Sequence, residues 1–132
     1  MAASPRTSPH PADFVEENLG MDAKALKESF LRHMEYSLGK DRYSATVQDS
    51  YSSIAMATRD RLIERWISTQ QTYHKKQAKR IYYLSLEFLI GRTLGNSLVN
   101  LGLEGEAQKA LSELGYSLED LREREWDAGL GN

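Results

Sequence analysis

The sequence predicts an α/β fold of which this chain carries the opening, mostly helical with one strand. Three observations predict it. Two stretches between Asp22 and Tyr73 place apolar residues at helical spacing. A β-branched and aromatic run, Ile81-Tyr82-Tyr83-Leu84-Ser85-Leu86, lacks strict alternation and so reads as a strand covered on both faces. Three further helical segments follow it, ready to supply that cover. One strand cannot make a sheet, so the remaining strands are expected elsewhere.

The elements can be justified in order. Residues 1–21 read as a mobile arm, with all three prolines (Pro5, Pro9, Pro11), several serines and no apolar core of a secretory signal. A transit peptide is the alternative, which the early acids Asp13, Glu16 and Glu17 disfavour. Asp22 can cap a first helix in which Leu26, Phe30, Met34 and Leu38 recur every fourth residue, and Gly39 can supply its left-handed exit. Thr46-Val47-Gln48-Asp49 is a capping box for a long second helix that fades near Tyr73. Its apolar row is expected to be Ala55, Leu62, Ile63, Trp66 and Ile67. Arg59, Asp60, Arg61, Glu64 and Arg65 then make a mostly wet face. After the strand, helices are expected over 93–101, 104–114 ending at Gly115, and from a Ser117 cap to about Trp126. The closing Asp127-Ala128-Gly129-Leu130-Gly131-Asn132 opens a glycine-rich loop without a far side, which predicts that residues 22–132 are an incomplete domain.

Composition bounds the chemistry. A chain of 132 residues and 15.0 kDa is the size of one domain. With 40% hydrophobic and 27% charged residues it is neither disordered nor membranous in composition. A net charge of -2 and a pI near 5.9 give no electrostatic reason to expect nucleic acid or an anionic membrane. The absence of cysteine excludes disulfides, thiolate metal sites and cysteine nucleophiles, and a reducing cytoplasm fits.

Few motifs carry chemistry on their own. Gly129-Leu130-Gly131-Asn132 could turn backbone amides onto an anion, although an ordinary turn is the favoured reading of these residues alone. Glu87 stands at the carboxyl end of the strand, where open parallel sheets place ligands. A helix-start carboxylate explains it equally well. His10, His33 and His74 are too scattered for a metal site and read as surface residues, and no Ser-His-Asp arrangement is expected. The basic run Lys75, Lys76, Lys79 and Arg80 reads as a solvated helix exit, and Tyr82 and Tyr83 as packing residues.

The block Arg80-Ile81-Tyr82-Tyr83-Leu84-Ser85-Leu86-Glu87-Phe88, followed by Gly91-Arg92-Thr93-Leu94, Asn96, Val99-Asn100-Leu101 and the closing 127–132, resembles the amino-terminal domain of the α-glucan (glycogen, starch or maltodextrin) phosphorylases. The resemblance extends upstream through Lys40-Asp41-Arg42, Arg59-Asp60, Arg65-Trp66 and Thr69-Gln70-Gln71, covering about residues 23 to 132. It implies a much longer enzyme of the two-domain Rossmann-like (B-type) glycosyltransferase fold. The implied chemistry is phosphorolysis of terminal α-1,4-linked glucosyl units to α-glucose 1-phosphate, with pyridoxal phosphate on a lysine beyond Asn132. Glu87 then lines the catalytic pocket, and Gly131 with Asn132 opens the glycine loop that approaches the substrate. Leu89 departs from the tyrosine of the animal enzymes.

The resemblance also makes the link from about Gly39 to Val47, with Asp41, Arg42 and Tyr43, a cap over the partner subunit of a homodimer. Asp41 matches the nucleotide site of the regulated animal members, whereas Tyr43 and His74 replace its other two residues. The arm lacks the basic run around a serine that marks their phosphorylation switch. An enzyme without AMP or phosphoserine control is implied, acting on glucan and phosphate, and inert as these 132 residues alone. The alternative is a non-catalytic short chain that binds a full-length subunit. Exposed strand edges would make an isolated fragment aggregate, which separates the two readings.

Overall fold

In the computed structural model the described residues are 18–87 and 91–127. Asp22 caps the first helix as expected, its carboxylate accepting the Ala25 amide at 2.8 Å. Helix α1 (Ala23–Arg32) buries Ala23, Leu26, Ser29 and Phe30. It continues as a π-helical turn, His33–Ser37, that buries Met34, and the chain leaves through Gly39 at φ +63°. The π turn follows from the sequence spacing. A four-residue apolar repeat drifts by about 40° per step on a helix of 3.6 residues per turn. A wider turn takes up the accumulated drift, so that Leu38 still packs against the core.

Helix α2 (Val47–Lys75) begins at the full capping box. Thr46 Oγ1 accepts the Asp49 amide at 3.2 Å and Asp49 Oδ2 accepts the Thr46 amide at 2.8 Å. Only its first half is packed, through Ser50, Ser53, Ile54, Ala57, Thr58 and Arg61. These are mostly small residues, which allow α1 and α2 to lie close together. The expected division of this helix is therefore corrected. Arg61 is 1% exposed, while Leu62, Ile63, Trp66 and Ile67 face outward, Trp66 at 58% exposure. Beyond Arg61 the helix projects for about 20 Å at 1.5 Å per residue, past the helices that could cover it.

Helices α3 (Leu94–Leu101), α4 (Glu104–Glu113) and α5 (Leu118–Arg122) complete the bundle. Gly102 and Gly115 take the left-handed conformation at the ends of α3 and α4, as expected for Gly115. Ser117 caps α5, and Glu125 caps α3 by accepting the Thr93 and Leu94 amides at 2.6 and 3.0 Å. Leu94, Leu98, Leu103, Ala107, Leu111, Leu118 and Leu121 join Leu26, Phe30 and Ile54 in one hydrophobic cluster. The Phe30 and Tyr116 rings stand 5.8 Å apart across it.

The expected strand is not formed. Residues 81–86 make no ladder among the described residues, and Ile81, Tyr82, Tyr83, Leu84 and Leu86 are all exposed, Leu86 at 93%. A strand is stabilised by its neighbours, and the described residues offer none. What is observed is a mostly helical unit; the α/β character belongs to the expectation from sequence.

Candidate functional site

The link between α1 and α2 is built from short polar residues that satisfy one another. Asp41 Oδ1 accepts the Ser44 amide at 2.8 Å, the Ser44 hydroxyl at 2.7 Å and the Tyr43 amide at 3.1 Å. The Ser44 side chain, then the Ser44 and Tyr43 amides, hold the Asp41 carboxyl below its ordinary range. The Asp41 amide donates back to the Ser44 hydroxyl at 3.1 Å, and the Ala45 amide donates to the Asp41 carbonyl at 3.0 Å. Asp49 is likewise lowered, first by the Thr46 amide and then by its hydroxyl. Lys40 lies 4.0 Å from the same carboxylate.

On this closed turn Arg42 and Tyr43 are carried outward. The Arg42 guanidinium sits 4.7 Å from the Tyr43 ring centroid and donates to the Tyr43 hydroxyl. Tyr43 and the nearby Tyr36 are both largely exposed. Asp41 is thus the residue that forms the turn, and Arg42 with Tyr43 is what the turn presents.

Glu87 is placed differently. Its backbone amide donates to the Ser85 hydroxyl at 3.1 Å, and that hydroxyl donates to the Glu87 carbonyl at 2.7 Å. The residue is exposed and lies in the open segment after α2, with no pocket built around it among the described residues. Gly131 and Asn132 lie outside the described residues, as do Phe88 and Leu89.

Two groupings were not expected from the sequence. Arg61 lies inside the bundle, donating from Nε and Nη2 to the Gly20 carbonyl at 2.9 and 2.7 Å and from Nη1 to the Ala57 carbonyl at 2.8 Å. Burial lowers its pKa, opposed by the nearby charges of Asp60 and Glu64. The second concerns His33, read from sequence as a surface residue, in a contact that sequence could not support. His33 is 14% exposed and bridges Ser37 and Asp60 at 2.8 Å each. The four-residue spacing of His33 and Ser37 was the available signal; nothing local ties either to Asp60.

These residues have known relatives. The chain is 52% identical over 111 residues to the brain form of glycogen phosphorylase from Bos taurus. It is 55% identical over 107 residues to the muscle form from Ovis aries and 53% over 107 residues to the liver form from Homo sapiens. The matched residues make up 84%, 81% and 81% of the chain respectively. The chain belongs to the glycogen phosphorylase family. It spans 13% of the length of these relatives. No family model matches the chain.

Neither of two cavities beside α1 fits the cofactor implied for a phosphorylase. Two open cavities flank α1. One, of about 430 Å³, mixes Lys24, Lys27 and Lys109 with Asp22, Glu28, Glu106 and Glu113, whose carboxylates oppose a phosphate. The other, of about 510 Å³, is lined in part by Arg32 and Arg61 and contains no lysine. No group of His, Asp or Glu among the described residues could hold a metal ion. Nor is any helix there long and apolar enough to cross a membrane.

Proposed function

We propose that the chain is the amino-terminal portion of a cytoplasmic α-glucan phosphorylase that releases α-glucose 1-phosphate from terminal α-1,4-linked glucosyl units with inorganic phosphate. The observation that carries the reading is identity of 52 to 55% with three glycogen phosphorylases over more than four-fifths of the chain. Residues 22–132 belong to the amino-terminal domain of the two-domain Rossmann-like fold, with residues 1–21 as an arm before it. Pyridoxal phosphate belongs to the same reading, held by a lysine outside these 132 residues.

The roles of the chain's own residues follow. Glu87 lines the catalytic pocket, Gly131 and Asn132 open the glycine loop, and Asp41, Arg42 and Tyr43 cap the partner subunit of a homodimer. Glycosyl transfer through a developing oxocarbenium ion needs a dry pocket with fixed dipoles. Glu87 has no such surroundings among the described residues, which supports inactivity of the 132 residues alone. The outward apolar side chains of α2 and of residues 81–86 support a larger domain, because contiguous apolar surface of this kind is normally covered.

A second reading has one observation in its favour: α1, the first half of α2 and α3 to α5 enclose a hydrophobic cluster without any sheet. A short chain of that kind could bind a full-length subunit without catalysis. The two are separated by isolating the endogenous protein with an antibody against residues 104–114. A mass several times 15 kDa, bound pyridoxal phosphate and release of glucose 1-phosphate from glycogen are expected. A 15 kDa species without chromophore or activity overturns the catalytic reading in favour of the binding one.

A further inference from the structure

The Ser37, His33 and Asp60 side chains form a connected chain that the proposed reaction does not use. His33 stands where α1 widens into the π turn, and its Nδ1 lies 2.8 Å from Ser37 Oγ at the other end of that turn. Its Nε2 lies 2.8 Å from Asp60 Oδ2 on α2. In the tautomer that carries its hydrogen on Nε2, the ring donates to the Asp60 carboxylate and its Nδ1 accepts from the Ser37 hydroxyl. Arg32 also approaches Asp60, at 3.8 Å. One imidazole therefore ties both ends of the π turn to a second helix.

A π turn is a rare and poorly favoured conformation that persists where its surroundings hold it. This one closes with two local backbone bonds, Leu38 amide to His33 carbonyl and Lys40 amide to Met34 carbonyl, both 3.0 Å. The exposed link begins at Gly39, directly after this turn. Nucleophilic catalysis would be another use of these residue types. Neither of the two cavities beside α1 is lined by Ser37, His33 or Asp60.

We propose that His33 is a positioning residue: bridged between Ser37 and Asp60, it fixes the direction in which the Gly39 to Thr46 link leaves the helical core. The functional meaning rests on the reading of that link as the cap over a partner subunit. The geometry does not.

Amide hydrogen exchange on the full 132-residue chain tests it, comparing the wild type with His33→Ala, His33→Gln, His33→Asn and Asp60→Ala. Gln places its amide near the position of Nε2 and keeps the Asp60 arm; Asn stands nearer Nδ1 and keeps only the Ser37 arm. His33→Ala and Asp60→Ala are expected to raise exchange at Leu38 and Lys40 by about tenfold or more, with Leu26, Ile54 and Leu111 unchanged. His33→Gln should restore protection and His33→Asn should not. Unchanged exchange at Leu38 and Lys40, an equal rise in the core, or equal rescue by Asn overturns the latch. Because this readout needs no partner, its failure leaves the cap reading standing; the cap is judged separately by subunit association of the full-length protein.

Discussion

Replacing Arg61 with Lys should damage the fold more than replacing it with Met. Arg61 is 1% exposed, and its charge is met by the Gly20 and Ala57 carbonyls; no ion pair to a carboxylate is formed among the described residues. Burying an ionised group costs several kcal/mol even after relaxation. Hydrogen bonds from a charged donor return roughly 1.5–3 kcal/mol each, so the three short bonds of the fork offset that cost. Lysine keeps the charge but cannot reach Gly20 with two donors and Ala57 with a third from one planar group. Arg61→Lys should therefore lose about 3 kcal/mol, in the range for a buried charge left partly unpaired. Arg61→Met removes both the charge and its bonds while filling much of the volume, and should lose about 1 kcal/mol. Thermal unfolding followed by circular dichroism reads this directly, because 3 kcal/mol lowers the midpoint by roughly 12 °C or more in a domain of about 100 residues. A Lys variant as stable as the Met variant would refute the account, since it would show that the fork geometry contributes nothing.

Other perturbations follow from contacts elsewhere in the chain. An added Cβ at Gly20 would stand 2.5 Å from the Ala25 Cβ, which cannot swing aside, so Gly20→Ala should lose about 1–3 kcal/mol. At Gly95 the obstacle at 2.5 Å is the tip of Arg122, which can move, and the gain in helix propensity offsets the lost Glu104 and Glu119 contacts; chemical denaturation should place Gly95→Ala within about 0.5 kcal/mol of wild type. Thr46→Ala removes the capping box of α2 and should cost about 1 kcal/mol by the same measurement, with little further loss on adding Asp49→Ala, because the two side chains act as one unit. Asp41 and Asp49 have folded-state pKa values below their ordinary 3.8, so their contribution is complete above that value and is lost as pH falls through the lower folded values. Asp41→Asn and Asp49→Asn should each flatten the acid limb of a pH-dependent melting curve, and an unchanged limb would count against these bonds.

The caps and exits were legible because each is a local rule: Asp22, Thr46 with Asp49, Gly39, Gly115 and Ser117 act within a few residues of themselves. The core positions of α1 were legible for the same reason. Helix α2 was not. Its most hydrophobic residues, Leu62, Ile63, Trp66 and Ile67, look like a buried face by periodicity, yet burial depends on what lies opposite. Opposite Arg61 stand Gly20 and Ser29, whose polar atoms welcome a guanidinium. Opposite Trp66 the described residues place nothing that buries it. The run 81–86 failed for a related reason, since strand propensity describes a surface that fits neighbours. Of the candidate site, the Asp41 turn rests on bonds within four residues, whereas the His33 to Asp60 contact joins residues 27 positions apart and could not be read from sequence.

This difference also explains why the chain displays one proposed role more fully than the other. The link closes on itself through Asp41, Ser44, Thr46 and Asp49, and is anchored through His33 to α2. Its shape needs no contact from outside the bundle. A surface formed before its partner arrives loses little conformational entropy on binding, which suits a cap between subunits. Glu87 has the opposite standing: it follows an apolar segment whose side chains are open and whose backbone makes no ladder among the described residues. Its position would be set by strands and loops it does not yet meet. On the proposed reading, a subunit cap would rest on a link that closes on itself, while a catalytic pocket at Glu87 would depend on a sheet that this segment would have to join.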